Sequence, residues 1–491
     1  MKEKREAREN RIVKDDLTIG ILQAARRAWE RGAEFRERRE RYKRFTYGDQ
    51  WSDIIEEPDG TKMTTREQAL KHGKDPMTNN LIRRMVKCVV GRFRMRIEEG
   101  EGGGVRRDGV MAKIYRENSL DEMDSRALEE FLISGMAVQR VTDELRPGRR
   151  GVRVDNVSPG KFFVNRFTDP RGDDIEMIGM LHDMSPAEAV MRFSYGSRSK
   201  AKAIRELLWQ VEESAGESIL GMRPGGGEQF GRSRERGRSR LVEVWTLESS
   251  EVVKWYDRAT GRCGIGSTGE TEWIDEANRQ RQERGEEHKI DSVVTHSIGW
   301  RCRWMTADGS VVSEYMSPYG HGSHPFVVKL YPLTDGEVHS LVEDVIDQQI
   351  YVNRLITLMD RVMSTSAKGV LLFPKSQRST NMDWEKLSTL WASPDGVIPY
   401  EAVDGVPEPK QLITNAGDFG ARELLSLELQ MLEDVSGVSN ALLGRSSGGG
   451  NVGYERYESE VKNATVAIND LLLTFEHFRE ERDEKLRGIL W

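Results

Sequence analysis

Apolar residues recur at steps of three and four along two long stretches of this chain, and that spacing predicts two long helices. In the first, running from His339 to about Ser366, Leu341, Val342, Val345, Ile346, Val352, Leu355, Ile356, Met359, Val362 and Met363 share one stripe. Its length is about 40 Å at 1.5 Å per residue. Its other face carries Asp344, Asp347, Gln348, Tyr351, Arg354 and Arg361. In the second, Tyr454, Tyr457, Val461, Ala464, Ile468, Leu471, Phe475 and Phe478 hold a heptad pattern for about three and a half repeats. Shorter helices are predicted over Ile21–Phe45, over Leu81–Phe93 with a buried stripe, and over 119–138 with Ser119 and Glu122 as a capping box. Another opens at Ser185-Pro186-Ala187-Glu188. Glu270–His288 has helical propensity but almost no apolar stripe beyond Trp273, Ile274 and Ala277, as in a helix that bridges solvent, pairs its charges or lines something wet.

Period two marks the strands. Val152–Val157, Phe162–Phe167, Leu241–Leu247 and Glu251–Tyr256 alternate, the last two as neighbouring strands. Ile298, Trp300, Cys302 and Trp304 share one face, with Arg301 and Arg303 opposite. Ala307-Asp308-Gly309-Ser310 then turns the chain into Val311–Tyr315. Gly369–Pro374 is a further sheet-like return. The expected fold class is α+β, mainly helical, without the regular βαβ rhythm of a doubly wound sheet. Gly100–Gly104 and Pro224–Gly227 are predicted loops.

Composition narrows the class. The 491 residues are 37% hydrophobic and 32% charged, and no stretch approaches the roughly 20 apolar residues of a membrane span. The N-terminus is charged, unlike a secretory signal. Cys88, Cys263 and Cys302 are scattered, which argues against a disulfide framework and fits a reducing compartment. Residues 1–46 hold 15 Lys/Arg against 9 Asp/Glu; with the whole chain at -7, the remainder carries -13. The basic end of the first helix (Arg36, Arg38, Arg39, Arg41, Lys43, Arg44) has two readings. One is an electrostatic arm for nucleic acid. The other is a solvated helix laced with pairs such as Glu37–Arg41, which the interleaved acids favour.

Between the two long helices lies R-S-S-G-G-G-N-V-G-Y, 445–454, a flexible tract between rigid rods. Upstream, the order is helix, small β-rich insert, helix. In that order, and in several strings, the chain resembles the portal proteins of tailed bacteriophages, particularly of the short-tailed type. The strings are S-P-G-K-F-F-V-N-R-F-T-D-P (158–170), M-S-P-A-E-A-V-M-R-F-S-Y-G (184–196), L-V-E-V-W (241–245), S-P-Y (317–319), H-P-F (324–326), D-G-E-V-H-S-L-V-E-D-V-I-D-Q-Q-I-Y-V-N-R (335–354), Ser366-Ala367-Lys368-Gly369 and S-G-V-S-N-A-L-L-G (436–444). Together they spread the resemblance over about residues 80–485.

The resemblance implies a portal fold of wing, two-helix stem, small β-containing clip and tunnel loop, assembled as a ring of twelve at the unique capsid vertex. Residues 1–46 would be an N-terminal charged helical segment and 47–269 the first part of the wing. Residues 270–288 would be the first stem helix, 289–333 the clip, 334–366 the second stem helix and 367–435 the second part of the wing. Residues 436–453 would hold the tunnel loop and 454–491 a long wing helix, with no crown expected. Such a ring is a channel for packaging and ejecting double-stranded DNA, with the major capsid protein, the terminase large subunit and a tail adaptor as partners. It would sit in the virion after assembly in the host cytoplasm. By position, Arg445, Ser446, Ser447, Gly448, Gly449, Gly450 and Asn451 would meet DNA. The stem face would carry Asp344, Asp347, Gln348, Tyr351 and Arg354, and the clip's docking face Arg301, Arg303, Asp308, Tyr319 and His321. Small uncharged loop residues suit a conduit, since each phosphate neutralised adds affinity and therefore friction.

Catalytic signatures are not evident, and no cofactor or metal is expected. There is no G-x-x-x-x-G-K-[ST] phosphate loop. His321-Gly322-Ser323-His324 lacks nearby carboxylate or cysteine ligands, and Arg171-Gly172-Asp173 reads as a turn. Two other function classes stay open: a scaffold or adaptor protein without a channel, supported by the heptads, and a nuclease or metal hydrolase hidden in 160–330.

Overall fold

The computed structural model describes residues 15–98, 109–143, 151–216, 228–267, 271–285, 289–366, 370–379, 382–392, 397–412, 420–438 and 454–490. The chain divides into two compact units. One comprises Met1–Glu40, Phe93–Ser340 and Asp470–Trp491; the other comprises Arg41–Arg92 and Leu341–Asn469.

The elements in chain order begin with α1 (Asp16–Arg31), α2 (Ala33–Tyr47), β1 (Ile54–Glu56), β2 (Lys62–Thr64), α3 (Thr65–Lys71), α4 (Leu81–Glu98), α5 (Val110–Asn118) and α6 (Leu120–Ser134). There follow β3 (Met136–Asp143), β4 (Val152–Asn156), β5 (Phe162–Val164), β6 (Met177–Met184), α7 (Pro186–Phe193), α8 (Arg198–Gly216), β7 (Ser239–Asp257), β8 (Arg262–Ser267) and α9 (Thr271–Glu283). Next come β9 (Ile290–Thr306), β10 (Val311–Met316), β11 (Phe326–Leu330), β12 (Pro332–Thr334), β13 (Glu337–Val338) and α10 (Leu341–Ser366). The last are β14 (Val370–Leu372), α11 (Trp384–Ala392), β15 (Lys410–Leu412), α12 (Ala421–Ser436) and α13 (Tyr454–Leu490).

In the first unit, β7 and β9 pair antiparallel from Leu241↔Thr306 to Asp257↔Ile290. They centre a sheet ordered β10-β9-β7-β6-β5, with β8 on the outer part of β7. The inner half of the pair is buried on both faces. Trp245, Cys302 and Trp304 pack with Phe193, Ile204 and Leu208 of α7 and α8. Val242, Val244 and Met305 pack under Ala25 and Ala28 of α1. Beyond Leu247 the same strands are covered on neither face along much of their length and form an arm, to which β8 adds a third strand at Val252–Asp257. The sequence reading split β7 into two strands; the structure makes it one, because Glu248, Ser249 and Ser250 stay extended opposite Ile298 and its neighbours.

Within the segment 270–288, Thr271–Glu283 forms the 13-residue α9, folded back on the arm. Ile274 is 1% exposed and packs on Val253 and Ile290. Asn278 holds Ile290 by both ends of its amide, donating to the carbonyl at 2.9 Å and accepting from N–H at 2.7 Å. Arg281 clamps Asp257 at 2.6 and 2.8 Å. The few apolar residues of this polar helix are thus all spent on the arm. In the segment 289–333, strands β9, β10 and β11 belong to the same sheets as β3, β6 and β7.

Other local differences have plain causes. Ile21–Phe45 is two helices, broken at Gly32. Ser119 has φ +51° and makes no side-chain cap; Glu122 pairs with Arg94 instead. The helix there ends at Gly135, φ +74°, and Met136 starts β3. The basic N-terminal residues serve internal contacts: Arg36 stacks on Trp29, Arg39 pairs with Glu130 at 2.6 Å, and Arg41 and Arg44 both pair with Asp53 at 2.8 Å. Within the first unit, α13 is anchored by Phe475 against Phe93 and Phe131, and by a buried charge cluster. Asp124 accepts from Arg479 at 3.1 Å and from Arg482, while Arg482 also donates to the Tyr115 hydroxyl at 2.6 Å.

Candidate functional site

The second unit contains a helix, a small β-containing insert and a return helix. Helix α10 leads into β14, then α11, then β15, which pairs antiparallel with β14 from Val370↔Leu412 to Leu372↔Lys410; α12 then packs against α10. Within the insert, Gln377 is buried and donates to the Val406 carbonyl at 3.2 Å, while Arg378 lies over the Trp384 ring at 5.2 Å. Around this small centre, Leu372, Trp384, Val397 and Tyr400 remain exposed.

Helix α10 has two distinct working faces. Asp344, Asp347, Tyr351 and Arg354 are exposed along one stripe, with Gln348 half-buried beside them. The buried side is apolar at Leu341, Val342, Val345, Ile346, Val352 and Leu355, but it also contains Gln349, Asn353 and Thr357 at successive turns. These three clasp an extended segment before α4. Gln349 Oε1 accepts from the Leu81 N–H at 2.9 Å and its Nε2 donates to the Asn79 carbonyl at 2.7 Å. Asn353 Oδ1 accepts from the Asn79 N–H at 3.0 Å, and its Nδ2 donates to Gln50 Oε1 at 2.5 Å. Thr357 Oγ1 accepts from the Met77 N–H at 3.2 Å. Sequence periodicity missed this row because it searched for apolar residues; three polar groups spaced four apart were the available signal.

Helix α12 adds an unpartnered stripe. Leu424, Leu427, Met431 and Val435 are 44%, 51%, 42% and 47% exposed, at spacings that place them on one side of the helix. After α12 the chain passes to α13 through 439–453. Arg445, Ser446, Ser447, Gly448, Gly449, Gly450 and Asn451 lie outside the described residues.

The five residues expected on a docking face are instead distributed through the first unit's sheet. Arg303 is 3% exposed and, like the half-buried Arg301, is paired with Glu248 and Glu314. Asp308 closes the β9–β10 turn, accepting from the Ser310 hydroxyl at 2.9 Å and from Thr306. The Tyr319 ring lies between Trp245 and His321, with centroids at 6.1 and 5.3 Å. Alternation showed which face Arg303 occupies, but not that Glu248 and Glu314 would be there to pair with it.

The titratable groups of this unit are engaged internally. Glu243 is fully buried; burial alone would raise its pKa, but Arg140 and the His182 contact at 2.7 Å outweigh it and hold the carboxyl well below its ordinary range. Lys485 donates to the carbonyls of His324 at 2.9 Å and Phe326 at 2.5 Å, and burial lowers it to about 7. Burial, reinforced by Lys485, lowers both His321 and His324. The Nδ1 atoms of the two imidazoles already accept from the N–H groups of Ser323 and Phe326, at 3.0 and 3.3 Å. Among the described residues, no group of three or more His, Cys, Asp and Glu converges, and no helix is long and apolar enough to cross a membrane.

Comparison with known proteins gives one match: the family described as phage P22-like portal protein matches residues 22–450. No curated protein matches the sequence.

Proposed function

The chain belongs to the phage P22-like portal protein family, a structural component of the tailed-phage virion at the head-to-tail vertex, and from that premise we propose how its parts divide the work. The ring is the DNA conduit, of twelve copies as the family resemblance implies. Its stem is α10 with α12, its clip is the insert 367–420 between them, and its tunnel loop is 439–453. The observation that carries this reading is the order of parts along the chain: a 26-residue helix, a small β-containing insert, a packed return helix, a glycine-rich tract, then a 37-residue helix.

The physics of each part supports its role. An insert with so little buried apolar material, and with Leu372, Trp384, Val397 and Tyr400 exposed, suits docking of the packaging motor and then a tail adaptor. The stripe Leu424–Val435 suits contact with the adjacent copy, since contiguous exposed apolar side chains on a helix gain by being covered. The glycine-rich tract carries one cation, Arg445, beside Ser446, Ser447 and Asn451. Such groups contact phosphate oxygens without capturing the duplex. Deletion of Ser446–Gly450 is expected to leave the ring intact, seen as a bored particle in electron micrographs, while impairing DNA packaging or retention in infected cells. A deletion ring that packages and retains DNA normally would sink the channel-loop assignment. A large oligomer without a bore would favour the scaffold reading instead.

A further inference from the structure

Helix α4 carries six Lys/Arg among its 18 residues, and its sole acid is Glu98 at the far end. Three of the six are engaged: Arg83 lies over the Tyr47 ring at 4.9 Å, Arg94 binds Ser125 at 2.8 Å and Glu122 at 2.5 Å, and Arg96 faces Glu476 at 3.9 Å. Arg84, Lys87 and Arg92 have no ion-pair partner among the described residues. Arg84 and Lys87 are exposed and Arg92 is half-buried. At about 100° per residue Lys87 lies about 60° to one side of Arg84 and Arg92 about 80° to the other, so the three share one half of the helix surface, separated by roughly 4.5 and 7.5 Å of axial rise. Arg84 and Arg92 flank Cys88 one turn to either side. Burial raises that thiol's pKa, and both guanidiniums act against it.

Gly91 sits in this row, and a Cβ built there would meet nothing within 4 Å. A glycine inside a helix costs about 1 kcal/mol against alanine. Here it leaves an open notch in which a ligand can reach the backbone between two cations. The surroundings also bear on the kind of partner. Protein interfaces have an apolar core and are depleted in lysine, whereas among the described residues of α4 itself the large apolar side chain left exposed is Met95, at the next turn. An uncompensated cationic row on a chain of net charge -7 matches a polyanion with charges repeated along a line.

We propose that the Arg84–Lys87–Arg92 face of α4 binds the phosphate backbone of double-stranded DNA, as a contact surface separate from the glycine-rich loop. It rests on the portal reading for the presence of DNA, but not on the loop's role. Three cations per copy give a salt-dependent, sequence-independent attachment.

The test is fluorescence anisotropy of a labelled duplex of about 30 base pairs and arbitrary sequence, titrated with the purified full-length assembly between about 50 and 200 mM salt. The triple variant Arg84→Gln, Lys87→Gln, Arg92→Gln is expected to weaken binding about tenfold or more at the lower salt, and to flatten the log–log salt slope by about one per lost contact. Arg84→Lys with Arg92→Lys is expected to retain both affinity and slope. The assembly lacking Ser446–Gly450 is expected to keep the part of the slope that the triple variant loses. Unchanged affinity and slope in the triple variant would overturn the proposal. So would failure of the triple variant to assemble while its chains still bind the duplex with wild-type salt dependence; that result would assign the cations to acids of a neighbouring copy. Loss of all duplex binding on deleting the loop alone would also overturn it, whereas packaging by the loop deletion bears only on the channel reading.

Discussion

Gln349 donates its side-chain N–H to Asn353 Oδ1 at 3.1 Å, one turn along the same helix, and the two amides are 0% and 2% exposed. Together they bind backbone groups of Asn79, Leu81 and Ile82 that have no strand to pair with. Helix α10 could have been held by hydrophobic contact alone. Amides bind in one register, because a slide along the helix leaves buried donors without acceptors.

Asn353→Ala tests that clasp. It removes the acceptor of the Asn79 N–H and the partner of Gln50, so unpaired buried polar groups should cost about 2–3 kcal/mol. Urea denaturation followed by circular dichroism would measure the loss. A midpoint equal to wild type would mean the clasp contributes nothing to stability.

Asp124 is the single carboxylate between Arg479 and Arg482, with Gln139 as a further donor at 3.2 Å. Its replacement by alanine removes the carboxylate the two buried guanidiniums share, leaving Arg482 with Asp483 at 2.9 Å and Arg479 with Glu476 at 3.8 Å. The expected cost is about 3–5 kcal/mol, the usual range when one side of a buried ion pair is removed. Calorimetry of the variant should therefore show a lowered first transition.

Gly179 faces the carbonyl of Glu243 across the β6–β7 ladder. A Cβ there would lie 2.1 Å from that oxygen and 2.5 Å from the Phe163 ring. Gly179→Ala is expected to destabilise by about 3 kcal/mol or more, at the upper end of overpacking costs. Recovery of the soluble variant at wild-type melting temperature would refute this.

Lys485 supplies a pH signature. Burial lowers its pKa from 10.5 to about 7 in the fold, with Glu481 acting in the opposite sense and His321 and His324 facing it. Between those two values the unfolded chain binds the extra proton and the folded chain does not. This group's contribution to stability therefore rises as pH increases from about 7 towards 10, and is unfavourable and flat below about 6. Lys485→Met should remove that rise, and melting temperatures of both proteins at a series of pH values would detect it. Equal slopes in the two proteins would rule the lysine out as its source.

The exposed stripe of α12 predicts an assembly phenotype. Leu427→Glu with Met431→Glu puts charge where the adjacent copy is proposed to lie, and should shift the protein from ring to smaller species in light scattering. Circular dichroism should be nearly unchanged, because both side chains already face outward. A ring of wild-type mass would place the contact elsewhere.

Much of the architecture was legible in one dimension. The period of α10 follows from Leu341, Val345, Val352 and Leu355, and the inward residues of α13 from Ile468, Leu471, Phe475 and Phe478, all of which are buried. The β9–β10 turn at 307–310 was legible from its Asp-Gly step, and the start of α7 from Ser185, whose hydroxyl accepts from the Glu188 N–H at 3.3 Å. These features depend on residues close together in the chain, so local spacing contains them.

The tertiary structure alone decided which helix pairs with which, and what each charge is for. Periodicity records that Ile274 has an inward side but not that Val253 and Ile290 wait beneath it, so a helix folded onto a strand arm read as a rod in solvent. An arginine's letter is the same at Arg303, which is sealed against Glu248 and Glu314, and at Arg84, which makes no ion pair among the described residues. Coulomb and hydrogen-bond energies depend on distance and burial, and residues 55 positions apart acquire both only when the chain has folded.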